Sequence, residues 1–249
     1  MKKLGSYCHM CGRFTTGNQA AIEREFAIVQ PLWTFSASYN IAPTQSVPIV
    51  RIENGQRTGL MMRWGLIPYF AKGVPPSYST INATIENMDR GAAWRGPWSR
   101  AQRCIMPATG FYEWHLGGDG KKNPHLIKLA DQEIFGFAAL WDRSRTDTGT
   151  VIESCAIITM PGNDFMRQIH NTGAHPFRMP ALLTKADREP WLTGNVAEAK
   201  AALKPYLQEY MVAYQVSTRV NSPRNNDAAL IEPVDTKIAK DPRQMPLIQ

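Results

Sequence analysis

The sequence predicts an α+β fold: a single compact domain on a bent, barrel-like, mostly antiparallel sheet with a few short helices. Three observations carry that expectation. Short apolar runs follow one another at close spacing, the mark of a strand-rich chain. Asn54-Gly55 lies between two such runs, and Gly117-Gly118-Asp119-Gly120 follows another, so neighbouring strands reverse through tight turns. Stretches with helical periodicity are few and short, which leaves helices to decorate a sheet.

The elements follow in order. Asn18 to Gln30 reads as a short helix, with Ala21, Ile22 and Phe26 on one stripe. Val47 to Ile52 and Leu60 to Trp64 are strands either side of the Asn-Gly turn. Tyr78 to Ile85 is a further short strand. Arg103 to His115 reads as strand, broken or bent at Pro107 and Gly110. His125 to Leu129 and Ile134 to Trp141 come next. Val151 to Met160 is the most apolar of all and is expected at the centre of the sheet. Pro161 to Ile169 reads as a short helix with proline near its start. Asn195 to Glu209 holds one or two helical turns, and Met211 to Val216 is the last strand.

Of the 249 residues, 43% are hydrophobic and 20% charged. That is enough apolar mass for a sizeable core and excludes wholesale disorder. Lys and Arg total 28 against 21 Asp and Glu, a net +7 that suits a polyanionic partner but is also ordinary for a mildly basic protein. No Lys/Arg block stands out, so any basic surface must be assembled by the fold. No apolar run approaches the roughly 20 residues of a membrane helix. Met1-Lys2-Lys3 is not followed by the apolar segment of a secretory signal. Cys8, Cys11, Cys104 and Cys155 do not make a disulfide framework in so long a chain, so a cytoplasmic protein is expected. Residues 1–10 read as an N-terminal extension removed or absent in the active form. Residues 11–234 read as the domain, and 235–249 as a loose tail.

Cys11 stands in Cys8-His9-Met10-Cys11-Gly12-Arg13-Phe14. Cys8 and Cys11 have CxxC spacing, but structural zinc needs four ligands, and Cys104 and Cys155 are isolated within strands. A redox pair would sit at the end of a strand in a βαβ unit, not in a leading tail. No metal or cofactor is expected. A second reading rests on Met10. A chain that began there and lost its methionine would carry Cys11 as the first residue. An ordinary buried thiol is the third.

Phe111-Tyr112-Glu113-Trp114 places a carboxylate among three aromatics. In a strand, Phe111 and Glu113 share one face, and Tyr112 and Trp114 share the other. A half-desolvated Glu113 would have a raised pKa suited to acid–base work. A rim carboxylate paired with an arginine is as good a reading. His170 follows the short helix in Gln168-Ile169-His170-Asn171, with His175 close behind. A lone histidine is more often structural than catalytic. Asn82 ends an apolar run, where it could orient a ligand or simply form a turn.

These segments together resemble the SRAP (SOS response-associated peptidase) family. The matching pieces run in order: Cys11-Gly12-Arg13-Phe14, Tyr39-Asn40-Ile41-Ala42-Pro43-Thr44, Trp64-Gly65-Leu66-Ile67-Pro68 and Asn82-Ala83. Arg103-Cys104-Ile105-Met106-Pro107-Ala108 follows, with Gly110-Phe111-Tyr112-Glu113-Trp114. Ile169-His170-Asn171, Arg178-Met179-Pro180 and Val220-Asn221 complete the set. Each fragment is weak alone, and the ordered set is specific.

The resemblance implies recognition of abasic sites in single-stranded DNA and a covalent DNA–protein cross-link, with self-processing that exposes the cysteine. It carries catalytic roles to Cys11, Asn82, Glu113 and His170. DNA contact falls to Arg13 and Arg178, and a wedge that unstacks bases to Pro43 and Phe70. A monomer without membrane attachment is expected. Two departures stand out. Many relatives have arginine where this chain has Thr84, so either another arginine such as Arg90 or Arg95 supplies the phosphate contact or DNA affinity is weaker. Many also join the histidine almost directly to Arg-Met-Pro, whereas Thr172 to Phe177 intervene here and make His175 a rival to His170.

The chemistry explains why the cysteine must be terminal. A free α-amine, with a reference pKa of about 8, attacks the ring-opened aldehyde of an abasic sugar. The thiol of the same residue then closes a thiazolidine. An internal cysteine could form only a labile hemithioacetal. Two other functions fit the residues: a cysteine protease using Cys11, His170 and Asn82, and a non-catalytic single-strand binding module.

Overall fold

The computed structural model describes residues 11–234. Residues 1–10, including Cys8, and the expected tail at 235–249 lie outside the described residues. The strands are β1 (Phe14–Thr16), β2 (Gln30–Pro31), β3 (Ser38–Ile41), β4 (Ser46–Glu53), β5 (Gln56–Trp64), β6 (Asn82–Thr84) and β7 (Arg103–Ala108). They continue with β8 (Gly110–Leu116), β9 (Lys122–Leu129), β10 (Phe135–Arg145), β11 (Val151–Pro161), β12 (Arg178–Pro180), β13 (Leu182–Leu183) and β14 (Met211–Gln215). The helices are short: α1 (Gln19–Glu25), α2 (Arg95–Ser99), α3 (Asp164–Ile169), α4 (Arg188–Thr193) and α5 (Val196–Ala201).

The barrel-like sheet expected from the sequence is present. Strands β11-β10-β7-β4-β5 pair in that order, each antiparallel to the next. β5 then returns to pair in parallel with β11, Cys155 opposite Trp64, and this closes the ring. Closure needs small residues where strands crowd. A Cβ on Gly136 would sit 2.3 Å from Ile105 Cγ2. β6 extends the same edge of β11, Ile157 opposite Asn82, while β12 pairs with its far end, Pro161 opposite Arg178. Val151–Pro161 is thus the central strand the sequence predicts, and residues of the site hang from both its edges.

A second sheet, β14-β9-β8-β1-β3, lies against the barrel. Phe14 of β1 makes edge-on contacts with Trp64 and Phe137, at 5.2 and 5.7 Å between centroids. Phe111 of β8 meets Phe137 at 5.9 Å. This aromatic seam joins the two sheets. Trp64 also donates from Nε1 to Ile81 O at 3.0 Å, tying the core to the residue before Asn82. Trp64→Ala is expected to cost about 3–5 kcal/mol, as large-to-small changes of buried aromatics do. Thermal unfolding measures it; an unchanged Tm would show that the seam contributes nothing.

Some expectations need correction. Arg103–His115 is two strands in different sheets. The break falls at Thr109, and Pro107 lies inside β7. Of Tyr78–Ile85, only Asn82–Thr84 is strand. Pro161 ends β11 and does not start the helix; α3 begins at Asp164. Asn163 caps it by accepting from Met166 N at 2.9 Å, so a side-chain cap outcompetes the proline signal. α5, held by an Asn195/Glu198 capping box, and a single 3-10 turn at Gln208–Tyr210 account for the turns expected from Asn195 to Glu209.

Candidate active site

β8 presents alternate residues to opposite sides, as its period of two requires. Phe111 joins the main core, Tyr112 and Trp114 a smaller cluster with Val216 and Val220. Glu113 therefore points inward beside Phe111 and is 0% exposed, a deeper burial than the half-desolvation the sequence suggests. The chain from Cys11 to β1 runs antiparallel to β8, with Tyr112 N donating to Arg13 O at 3.0 Å. That register sets Cys11 N on Glu113 Oε1 at 2.6 Å. Cys11 is 2% exposed and lies in the left-handed region at φ 47°.

Burial pushes the Glu113 carboxyl above its ordinary range, and the His170 charge and hydrogen bonds from the Cys11 thiol and N–H pull partly against that. Its Oε2 accepts no hydrogen bond from the described residues. His170 Nε2 stands 3.9 Å from that oxygen, too far for a hydrogen bond. A buried acceptor left open costs stability, and such atoms cluster where a substrate supplies the partner.

His170 caps the C-terminus of α3 and is 1% exposed. Its Nδ1 faces the backbone of Arg178, 3.3 Å from the carbonyl and 3.4 Å from the N–H. The intervening loop is pinned at its base. Phe177, at φ 63°, donates from N to His170 O at 2.7 Å. His175, the rival, is exposed on that loop. Asn82 sits on β6, where its pairing with β11 sets it on the edge opposite β12. The register and hydrogen bonding thus assemble Cys11, Glu113 and His170, with Asn82 placed by the neighbouring strand.

The residues expected to touch DNA are spread around this centre. Arg13 donates from Nη1 to Asn40 Oδ1 and Val220 O, at 2.9 and 2.8 Å. Asn40 in turn donates to Val220, Ser222 and Asn225 carbonyls. Arg13 therefore braces the N-terminal strand against the Thr218–Asn225 segment. Pro43 is half-buried in a turn where Thr44 N reaches Trp64 O at 2.8 Å. Phe70 is 54% exposed in a 3-10 turn, edge-on to Tyr69. Arg90 is exposed and its Nε donates to Asn87 Oδ1. Arg178 forks onto Glu86, Nη1 to Oε1 at 3.0 Å and Nη2 to Oε2 at 2.8 Å. Thr84 pairs with Thr159 of β11. Cys104 and Cys155 are buried thiols raised in pKa by desolvation, and no cluster of His, Cys, Asp or Glu fit for a metal occurs among the described residues.

Two residues that the sequence reading did not single out for a role stitch α3 to β8. Asn171 Oδ1 accepts from Leu116 N at 2.8 Å and its Nδ2 donates to Leu116 O at 3.1 Å. His115 Nδ1 lies 2.9 Å from Gln168 O. These bonds fix the His170 turn against the strand that carries Glu113. Asn171→Leu is expected to lose about 1–3 kcal/mol from two hydrogen bonds and at least about 10-fold in the chemical step through misplacement of the pair. Single-turnover kinetics on the folded variant would measure it, and a wild-type rate would dismiss the clamp.

The chain resembles known proteins over nearly its whole length. The family model for SRAP, SOS response associated peptidase, matches residues 10–223. Abasic site processing protein YoqW of Bacillus subtilis is 38% identical over 230 residues, 90% of this chain and 99% of that one. Abasic site processing protein HMCES of Gallus gallus is 27% identical, over 93% of this chain and 80% of its own. A crystal structure of a protein from Bacteroides thetaiotaomicron superposes with a TM-score of 0.79 at 26% identity, covering 90% of this chain and 99% of that chain. Another, from Bordetella bronchiseptica, gives 0.72 at 27% identity, over 83% and 100%. With a family model matching residues 10–223 and a relative 38% identical over 90% of this chain, the chain belongs to the SRAP family of abasic-site processing proteins.

Proposed function

We propose that this protein captures abasic sites in single-stranded DNA as a thiazolidine on Cys11, once residues 1–10 are gone. The observation that carries the reading is the 2.6 Å contact of Cys11 N with Glu113, a buried carboxyl of raised pKa. In the chain as it stands that nitrogen is a peptide N–H. Freed, it becomes an amine already seated on a proton carrier.

Glu113 and His170 move protons as the sugar opens to its aldehyde. The amine attacks the aldehyde carbon, giving a carbinolamine. Glu113 protonates the departing hydroxyl, and water leaves to form the imine. The Cys11 thiol adds to the imine carbon, its proton passes to nitrogen, and the five-membered ring closes. The net change is protein plus aldehyde giving adduct plus one water. Asn82 orients the amine or the sugar. Arg90 and Arg178 hold phosphates, Arg13 braces the N-terminal strand with at most a spare donor for DNA, and Pro43 and Phe70 form the wedge, since unstacking costs only a few kcal/mol. Cross-linking in this way protects the lesion.

The same centre suits removal of the leader. The Cys11 thiol attacks the preceding carbonyl, Glu113 protonates the departing α-nitrogen, and water hydrolyses the resulting thioester. The protein acts as a monomer in the cytoplasm. No helix among the described residues is long and apolar enough to cross a membrane. Cys11→Ala tests the whole scheme: intact mass after incubation with abasic single-stranded DNA is expected to show no adduct, and a surviving covalent product would overturn it.

A further inference from the structure

Arg178 lies beside the centre by construction, since its backbone faces the His170 ring at 3.3–3.4 Å. Its guanidinium is fixed from within. Nη2 also donates to Thr159 O at 2.9 Å, and Nε is buried. The fork that remains points outward, and Glu86 fills it with two parallel bonds. The Glu86 side chain is 43% exposed against 16% for Arg178, so the carboxylate covers the guanidinium on the solvent side. A carboxylate and a phosphate present the same paired oxygens to an arginine fork. Glu86 follows Asn82 by one turn after β6, so it arrives on the same edge of the site.

From this geometry we infer that Glu86 is an internal surrogate for a DNA phosphate. It holds the Arg178 fork until the phosphate flanking the captured sugar displaces it. The inference rests on the reading of Arg178 as a phosphate contact. The Arg178–Glu86 pair has no net charge at rest, and a nucleic acid backbone gains Arg178 only by freeing a carboxylate beside itself. The surrogate thus weakens binding of any strand that cannot repay the exchange with further contacts, and intact DNA is such a strand. Glu86 is a specificity-determining residue and takes no part in the bond-making steps.

The experiment measures equilibrium binding of a fluorescent intact single-stranded oligonucleotide, which forms no covalent product, as a function of salt. Four proteins are compared: wild type, Glu86→Gln, Arg178→Lys, and the double variant. Glu86→Gln keeps shape at an exposed position, whereas Arg178→Lys keeps charge but gives up the fork and the bond to Thr159 O, so Tm is recorded for each to separate binding from folding. Glu86→Gln is expected to bind roughly fivefold tighter, on the scale of an exposed ion pair. Its salt dependence should steepen by about 0.7 in log–log slope, one more phosphate neutralised. In the Arg178→Lys background the gain should shrink towards nothing. Unchanged or weaker binding by Glu86→Gln, with Arg178→Lys still impaired, overturns the surrogate and leaves the phosphate contact standing. An equal gain in both backgrounds also overturns it, because simple charge removal would then suffice. Wild-type binding by Arg178→Lys would show that the fork is not needed and would overturn the surrogate, because lysine keeps the charge that a phosphate contact requires.

Discussion

Protein that retains residues 1–10 is expected to form no stable cross-link with abasic DNA, whereas the same chain begun at Met10 and stripped of that methionine cross-links fully. The cause is valence. A peptide nitrogen has its lone pair in the amide and cannot add to an aldehyde, although Glu113 holds it at 2.6 Å in the right place. An internal thiol gives only a hemithioacetal, which reverses. Intact mass reads both states. A shift equal to the oligonucleotide less one water is expected for the processed form alone. Cys11→Ser sharpens the test, because it keeps the amine and weakens ring closure. It should give an imine that borohydride traps, with little stable product otherwise. A cross-link of full yield with the leader in place would overturn the thiazolidine scheme, whereas peptide hydrolysis by that form would favour a cysteine protease instead.

Glu113→Gln is expected to slow cross-linking by about 10²–10⁴-fold, the usual contribution of a placed acid–base group, while making the protein more stable at neutral pH. The two effects have one source. Burial raises the Glu113 pKa, so between its unfolded value and its raised folded value the native state binds the extra proton. Stability therefore falls as pH rises through that window and stays lower above it. Glutamine carries no such charge and should flatten this decline. Chemical denaturation of both proteins across pH measures it. Equal pH dependence in the two would mean that Glu113 is no burden on the fold. An unimpaired rate would remove it from the mechanism.

The sequence made part of this site legible. Phe111-Tyr112-Glu113-Trp114 declared its two faces through period-two alternation, and those faces are the ones observed. The apolar run at Cys155-Ala156-Ile157-Ile158 likewise announced a central strand. Other features had no local signal. The depth of Glu113 depends on an N-terminal segment 102 residues away folding over it. Closure of the barrel through β5 and β11 is a parallel pairing between remote strands, and neither turn residues nor alternation encode it. The Asn171 clamp and the Arg178–Glu86 fork join residues 55 and 92 positions apart. A lone asparagine or glutamate in the sequence reveals nothing of such a partner. Arg13 shows the converse. Its motif suggested phosphate contact, yet most of its donors serve Asn40 and the Val220 segment.

The separation of Cys11 from Glu113 also orders events during synthesis. At about 5–20 residues per second, on the order of 5–20 s pass between the two emerging from the ribosome. An N-terminal cysteine with a free amine is an aldehyde trap for any small metabolite in that interval. If the amine is released only by the centre that Glu113 helps to form, it does not exist until the fold has closed around it. The leader then acts as a protecting group timed by folding, and the deeply buried Cys11 meets its first aldehyde in a site shaped to choose it.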